Sequence, residues 1–105
     1  MDVAIRAVNW LWALALLAGS PLMTEVWLTE VLASLVAHGR FLMDNLEVRD
    51  DGVTTNHYLA DLVGLLYLGL CLKEVRDAEG WKAFAVRELV REMDRQVLAD
   101  GAHYE

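Results

Sequence analysis

The run Thr54-Thr55-Asn56-His57-Tyr58 groups the residues of this chain best suited to chemistry. An Asn side chain offers an amide donor, and an imidazole exchanges a proton near neutral pH. The run lies between a polar loop, EVRDDGVTT (Glu47–Thr55), and a long apolar stretch, so it falls where a helix begins. A helix N-terminus presents unpaired N–H groups and attracts an anion. A carboxylate placed there meets several donors at once. Eliminative cleavage of a uronate polymer needs that arrangement, because the proton alpha to a carboxylate is poorly acidic while the carboxylate keeps its charge. Donors that neutralise it stabilise the carbanion-like state, and a His or Tyr base then takes the proton. Taken alone, an Asn-His dipeptide at a helix start is more often a capping and packing device.

Other polar residues are candidates for the same cleft. Arg6 and Asn9 sit on an apolar helix, either facing a cleft or pairing with each other across about one turn, since buried polar groups need partners. Glu47 closes the second helical segment and is a candidate substrate contact, as is Tyr58; Asn45 lies beside Glu47. His38, within a Leu-rich segment, reads as structural, and His103 and Tyr104 read as loop residues. The three histidines are too scattered to form a metal site, and nothing in the sequence calls for a cofactor.

These residues are positioned by what reads as four helices with no competing strand pattern. The first spans about Val3 to Leu17 and is apolar on nearly all sides, so it expects neighbours around it. Gly19 ends it, and Ser20-Pro21 signals the next start, with Ser20 as N-cap and Pro21 in the first turn. The second spans about Pro21 to Leu46, with Leu28, Val31, Leu32, Leu35, Leu42 and Leu46 on one stripe. The third is capped by Thr54 or Thr55 and runs to about Leu72; Gly64 and Gly69 permit another helix to pack closely. The fourth runs from about Ala78, capped by Asp77, to Ala99, with Asp100-Gly101 as its stop. Its Val86, Leu89, Val90, Met93 and Val97 read as the core face, and Arg87, Glu88, Arg91, Glu92 and Arg95 as the solvent face. The fold class is all-α, two antiparallel hairpins alternating nearly all-apolar helices with amphipathic ones, as a toroid or solenoid of hairpins does.

Composition bounds the rest. The chain has 105 residues, 56% of them hydrophobic, with a mean hydropathy of +0.30. That is high for so short a chain, where size limits burial. The formal charge of −7, from 9 Lys+Arg against 16 Asp+Glu, disfavours nucleic acid and anionic lipid as partners. The longest uncharged apolar runs, Trp10–Ala18 and Leu62–Leu72, fall short of the roughly 20 residues of a spanning helix. The opening MDVAIRAVNW lacks the basic start and cleavage site of a signal peptide. Cys71 is alone, which excludes an intrachain disulfide, and its apolar surroundings make it a buried thiol.

Four segments in order, IRAVNWLWAL, HGRFLMDNLE, TTNHYLADLVGLLYLGL and the stretch from Trp81 through MDRQVLADGAHYE, resemble the first part of heparinase II/III-like proteins, over nearly the whole chain. The resemblance implies an (α/α) toroid, of which residues 1–105 form a single helical domain and a part, followed elsewhere by a β-sandwich. It implies β-elimination of acidic polysaccharides such as heparan sulfate or alginate, and parents exported by bacteria. Asn56 matches the Asn that neutralises the uronate carboxylate, and His57 matches the adjacent His near the reacting carbon. The family's catalytic Tyr follows the D-G-x-x-x-E segment; Tyr104 precedes the Glu and does not match it. On this reading the segment alone is inactive and self-associates through apolar faces that further helices would cover. The competing expectation is a non-catalytic helical module that binds a protein through those faces.

Overall fold

A computed structural model describes residues 1–104. It has four helices, α1 (Asp2–Leu16), α2 (Glu25–Asp44), α3 (Asn56–Cys71) and α4 (Ala78–Gln96), and no strand among the described residues. The helix starts follow from side-chain caps. Thr55 Oγ1 accepts from the His57 N–H at 3.3 Å, one of the two caps the sequence offered for α3. For α2 the cap is Thr24, which accepts from the Trp27 N–H at 3.2 Å. Ser20 and Pro21 instead lie in a turn outside the helix, where Ser20 Oγ accepts from the Leu22 N–H at 3.3 Å. Asp77 stands at the α4 N-cap position but makes no cap bond there; its carboxylate takes Arg40 Nε at 2.9 Å. Beyond Gln96 the chain turns extended, and Val97 bridges to His103 across a turn at Gly101, whose φ of +88° favours glycine.

Contacts along the helices fix their directions. Met1, Asp2 and Val3 lie by Phe41, Leu42 and Asn45, while Leu14 and Leu17 lie by Trp27 and Val31, so α1 and α2 are antiparallel. Tyr58 meets Glu88 near one end of α3 and Gly69 meets Ala78 near the other, so α3 and α4 are antiparallel as well. Met1 pairs with Asp61 and Ala4 touches Gly64, so the two hairpins run in the same sense. The expectation of two antiparallel hairpins is met. α3 is the central element, with Leu62, Leu65 and Leu68 fully buried. Its two glycines do what the sequence suggested: a Cβ on Gly64 would lie 2.7 Å from Ala4 Cβ, and one on Gly69 would lie 2.7 Å from the Ala78 carbonyl.

Three expectations are corrected. The α4 faces are rotated: Trp81, Ala85, Glu88, Glu92 and Gln96 point inward and Val86, Val90 (64% exposed) and Met93 point outward, while Arg87, Arg91 and Arg95 stay exposed as expected and Leu89 and Val97 are half-buried. The cause lies at the α4 start, where the flat Trp81 ring fits against Gly39 and the backbone of Ala78 and Lys82 against Gly69, which set the rotation for the turns that follow. The polar residues brought inside find partners in Thr54, Tyr58 and His103. Second, α1 is not surrounded: only Ala4 and Ala7 are buried, and Trp12 and Leu16 face outward. Third, Cys71 is exposed, because the last turn of α3 turns it and Leu70 away from the other helices.

α2 has the length and composition to cross a membrane, although no single uncharged run within it does. Its outer residues Val26 and Trp27, with Leu22 in the preceding turn, are exposed, as are Trp12 and Leu16 of α1 and Val86, Val90 and Met93 of α4, so much apolar surface faces outward. Such a surface is rare on a monomer. Residues 1–105 alone are therefore expected to self-associate, with sedimentation velocity showing a mass that rises with concentration. A monomer throughout the concentration range contradicts this.

Candidate functional site

The α3 N-terminus sits at one end of the bundle, where the loop from α2 and the start of α1 meet. Asn56 and His57 occupy the first turn, exposed, immediately after the Thr55 cap. The His57 ring Nδ1 lies 2.8 Å from Glu47 Oε2. Glu47 is held in turn by its own N–H, which donates to Asp61 Oδ2 at 3.1 Å. Asp61 is fully buried one turn beyond His57, and its Oδ1 lies 2.7 Å from the Met1 ammonium, which also pairs with Glu47. The bonds from the Met1 ammonium first, and from His57 second, hold the Glu47 carboxyl below its ordinary range.

Two clefts share this cluster. One, of about 370 Å³, is lined by Met1, Phe41, Asn45, Glu47, His57 and Asp61 among others. The other, of about 470 Å³, is lined by Glu47, Val48, Arg49, Thr55, Asn56 and His57. The second therefore joins an amide, an imidazole, a helix N-terminus and a guanidinium, which pairs with Asp51 at 3.1 Å, beside the Glu47 carboxylate; its donors suit a carboxylate. The Glu47–His57 contact gives the imidazole an acceptor that fixes its orientation, which a general base requires. Arg49 is placed by a tight turn: its N–H donates to the Val53 carbonyl at 3.0 Å, and Gly52 adopts φ +79°.

Of the residues singled out in the sequence, the structure brings together Asn56, His57 and Glu47. Tyr58 is not with them. It is buried between α3 and α4, its hydroxyl donating to Glu88 Oε2 at 3.4 Å. Burial, reinforced by Glu88, raises its pKa to about 12, which unsuits it as a base. Arg6 is also elsewhere: its Nε donates to His38 Nε2 at 2.8 Å across the α1–α2 interface, so its partner is neither a cleft nor Asn9. Asn9 lines a separate groove with Ile5, Val8 and Val63. Among the described residues no group of three His, Cys, Asp or Glu is arranged to hold a metal ion.

The sequence reading missed Arg49, Asp61 and the layer behind the site. Asp61 was legible in principle, since it follows His57 by four residues and so shares its helix face. Behind Thr54 and Thr55, Glu92 Oε2 accepts from the Thr54 hydroxyl and from Gln96 Nε2, the latter at 2.7 Å. Burial raises the Glu92 pKa, but bonds from Thr54, Gln96 and Arg95 outweigh it, and the net shift is downward. A depressed folded pKa contributes stability above the unfolded value near 4.5, and that contribution is lost as pH falls through the folded value. Acid unfolding of Glu92→Gln is therefore expected to show a shallower loss of stability below about pH 4.5 than the wild type. Parallel acid titrations by circular dichroism test this, and superimposable normalised curves would refute it.

A family model described as heparinase II/III N-terminus matches residues 1–105, the whole chain. No curated protein and no solved structure matches it.

Proposed function

The chain belongs to the heparinase II/III N-terminal family, and on that premise we propose that it forms part of the active site of a polysaccharide lyase acting on uronate-containing acidic chains. The observation that carries the reading is the juxtaposition of Asn56, His57 and Arg49 on one cleft at the α3 N-terminus, with Glu47 bonded to the His57 ring. In this reading the uronate carboxylate is bound by the Asn56 amide and Arg49 at the positive end of α3. With its charge neutralised, the proton on the carbon alpha to it becomes removable. His57, oriented by Glu47, takes that proton. The electron pair forms a double bond to the neighbouring ring carbon, the glycosidic C–O bond on that carbon breaks, and the departing oxygen gains a proton. The product is an unsaturated uronate.

Two further features support the reading. The Val97–His103 turn, which carries Asp100-Gly101, is tied to the α3 cap by the Tyr104 hydroxyl, which donates to the Thr54 carbonyl at 2.6 Å. In the family the catalytic Tyr follows that segment, so the reading puts it at this end of the bundle. The outward apolar faces of α1 and α4 suit further hairpins of an (α/α) toroid. The same faces equally favour a second reading, a helical scaffold that binds a protein.

An absorbance assay for unsaturated uronate, run with the full-length protein on heparan sulfate, alginate and other uronate polymers, tests the proposal. Product from at least one polymer supports it. Silence across the panel from a folded protein favours the scaffold.

A further inference from the structure

The inward rotation of α4 buries Glu92 and Gln96, each 1% exposed, in the α3–α4 interface. A buried carboxylate is costly, and well-packed apolar residues in its place are often as stable or more so. The bonds of this pair run toward two neighbouring residues. Glu92 Oε2 takes the Thr54 hydroxyl. Gln96 Nε2 lies 3.4 Å from both the Thr54 hydroxyl and the Thr55 carbonyl. Glu92 Oε1 is balanced by Arg95 at 3.2 Å, and Gln96 Oε1 faces His103 Nε2 at 2.9 Å. Thr54 and Thr55 are thus gripped from α4 and from the 97–104 turn, and Thr55 is the cap on which Asn56 and His57 follow.

We propose that Glu92 and Gln96 are positioning residues for Asn56 and His57, acting through Thr54-Thr55; the catalytic meaning of this rests on the lyase reading above. Neither lines the cleft that holds Asn56 and His57, so neither touches a substrate bound there. Their effect is to fix where α3 begins and which way its first turn faces. An apolar pair would fill the same space without specifying the register of the Thr-Thr cap.

The test uses Thr54→Val, which removes the hydroxyl bonded to Glu92 with little change of shape, and Thr54→Ser, which keeps it. Truncating Glu92 itself risks a protein that does not fold. Amide hydrogen exchange in peptides spanning 54–59 is expected to rise about tenfold in Thr54→Val, with α1 and α2 unchanged and wild-type exchange in Thr54→Ser. In the full-length protein kcat is expected to fall about tenfold with KM unchanged, and Thr54→Ser to restore it. Unchanged or uniformly raised exchange overturns the proposal, as does a local rise that leaves kcat unaltered. If the wild type cleaves no polymer, the lyase reading fails by itself, and the exchange pattern still decides whether the pair positions the α3 start.

Discussion

Replacing His57 with alanine in the full-length protein is expected to lower kcat for unsaturated uronate formation by about 10²- to 10⁴-fold, the usual contribution of a positioned base. Asn56→Ala is expected to cost about 10²- to 10³-fold, the usual effect of removing one donor from a developing negative charge. Both side chains are exposed at the first turn of α3, and the cap is the neighbouring Thr55. Stability should therefore change by no more than about 0.5 kcal/mol. Glu47→Gln keeps the shape but removes the charge bonded to His57, so it should cost less than either. The checks are kcat and KM for each variant beside its melting temperature. Activity retained to within a factor of about 10 in both alanine variants would leave the Asn-His pair with a structural role only.

The fold class was legible because it rests on patterning within each segment. The long apolar run and the Thr-Thr cap signal predicted α3, and Gly64 and Gly69 its close neighbours; the structure has all of these, although the buried stripe is Leu62, Leu65 and Leu68 and leaves Val63 and Leu70 exposed. The rotation of α4 was not legible. Its apolar stripe is the stronger pattern in residues 86–97, but the close contacts of Trp81 with Gly39 and of the Ala78 and Lys82 backbone with Gly69 decide the rotation, and those partners lie on other helices. A periodicity argument sees one helix at a time and assumes that the apolar side wins. The Ser20-Pro21 start failed for a related reason: two cap signals competed four residues apart, and the one followed directly by Glu25 prevailed.

Of the candidate site, the sequence showed the residues at the α3 start but not their neighbours. Asn56 and His57 stood out through residue type at a helix start, which is local information. That Glu47 reaches His57 depends on how the loop folds back over α3, and that Tyr58 turns inward follows from helical geometry once α4 is known to lie on that side. Arg49 gave no sequence signal beyond being a cation in a loop. Only the turn closed by its N–H to the Val53 carbonyl puts it beside Asn56.

The close approach of α4 to α3 makes a second strong prediction, on stability. A Cβ at Gly69 would lie 2.7 Å from the Ala78 carbonyl and 2.8 Å from the Lys82 nitrogen. Both are backbone atoms of the facing helix, so no side chain can rotate aside and the whole helix must withdraw. Overpacking of this kind costs about 1–3 kcal/mol, while Gly to Ala within a helix returns up to about 1 kcal/mol. Gly69→Ala should therefore be net destabilising, by up to about 2 kcal/mol, and Gly69→Val more so, since its added methyls meet the same backbone. Gly80 provides the matched control: it is also helical, but nothing lies within 4 Å of its would-be Cβ. Gly80→Ala should stabilise by about 0.5–1 kcal/mol. Urea midpoints of the three variants at constant m measure this directly. Effects of opposite sign at the two glycines show that interhelical distance, not helix propensity, governs position 69. Because withdrawal of α4 also pulls Glu92 and Gln96 away from Thr54, the Gly69 variants of the full-length protein should lose the proposed lyase activity at temperatures where most molecules are still folded. A loss of activity that merely follows the unfolded fraction would mean that the two ends of the interface are not mechanically linked.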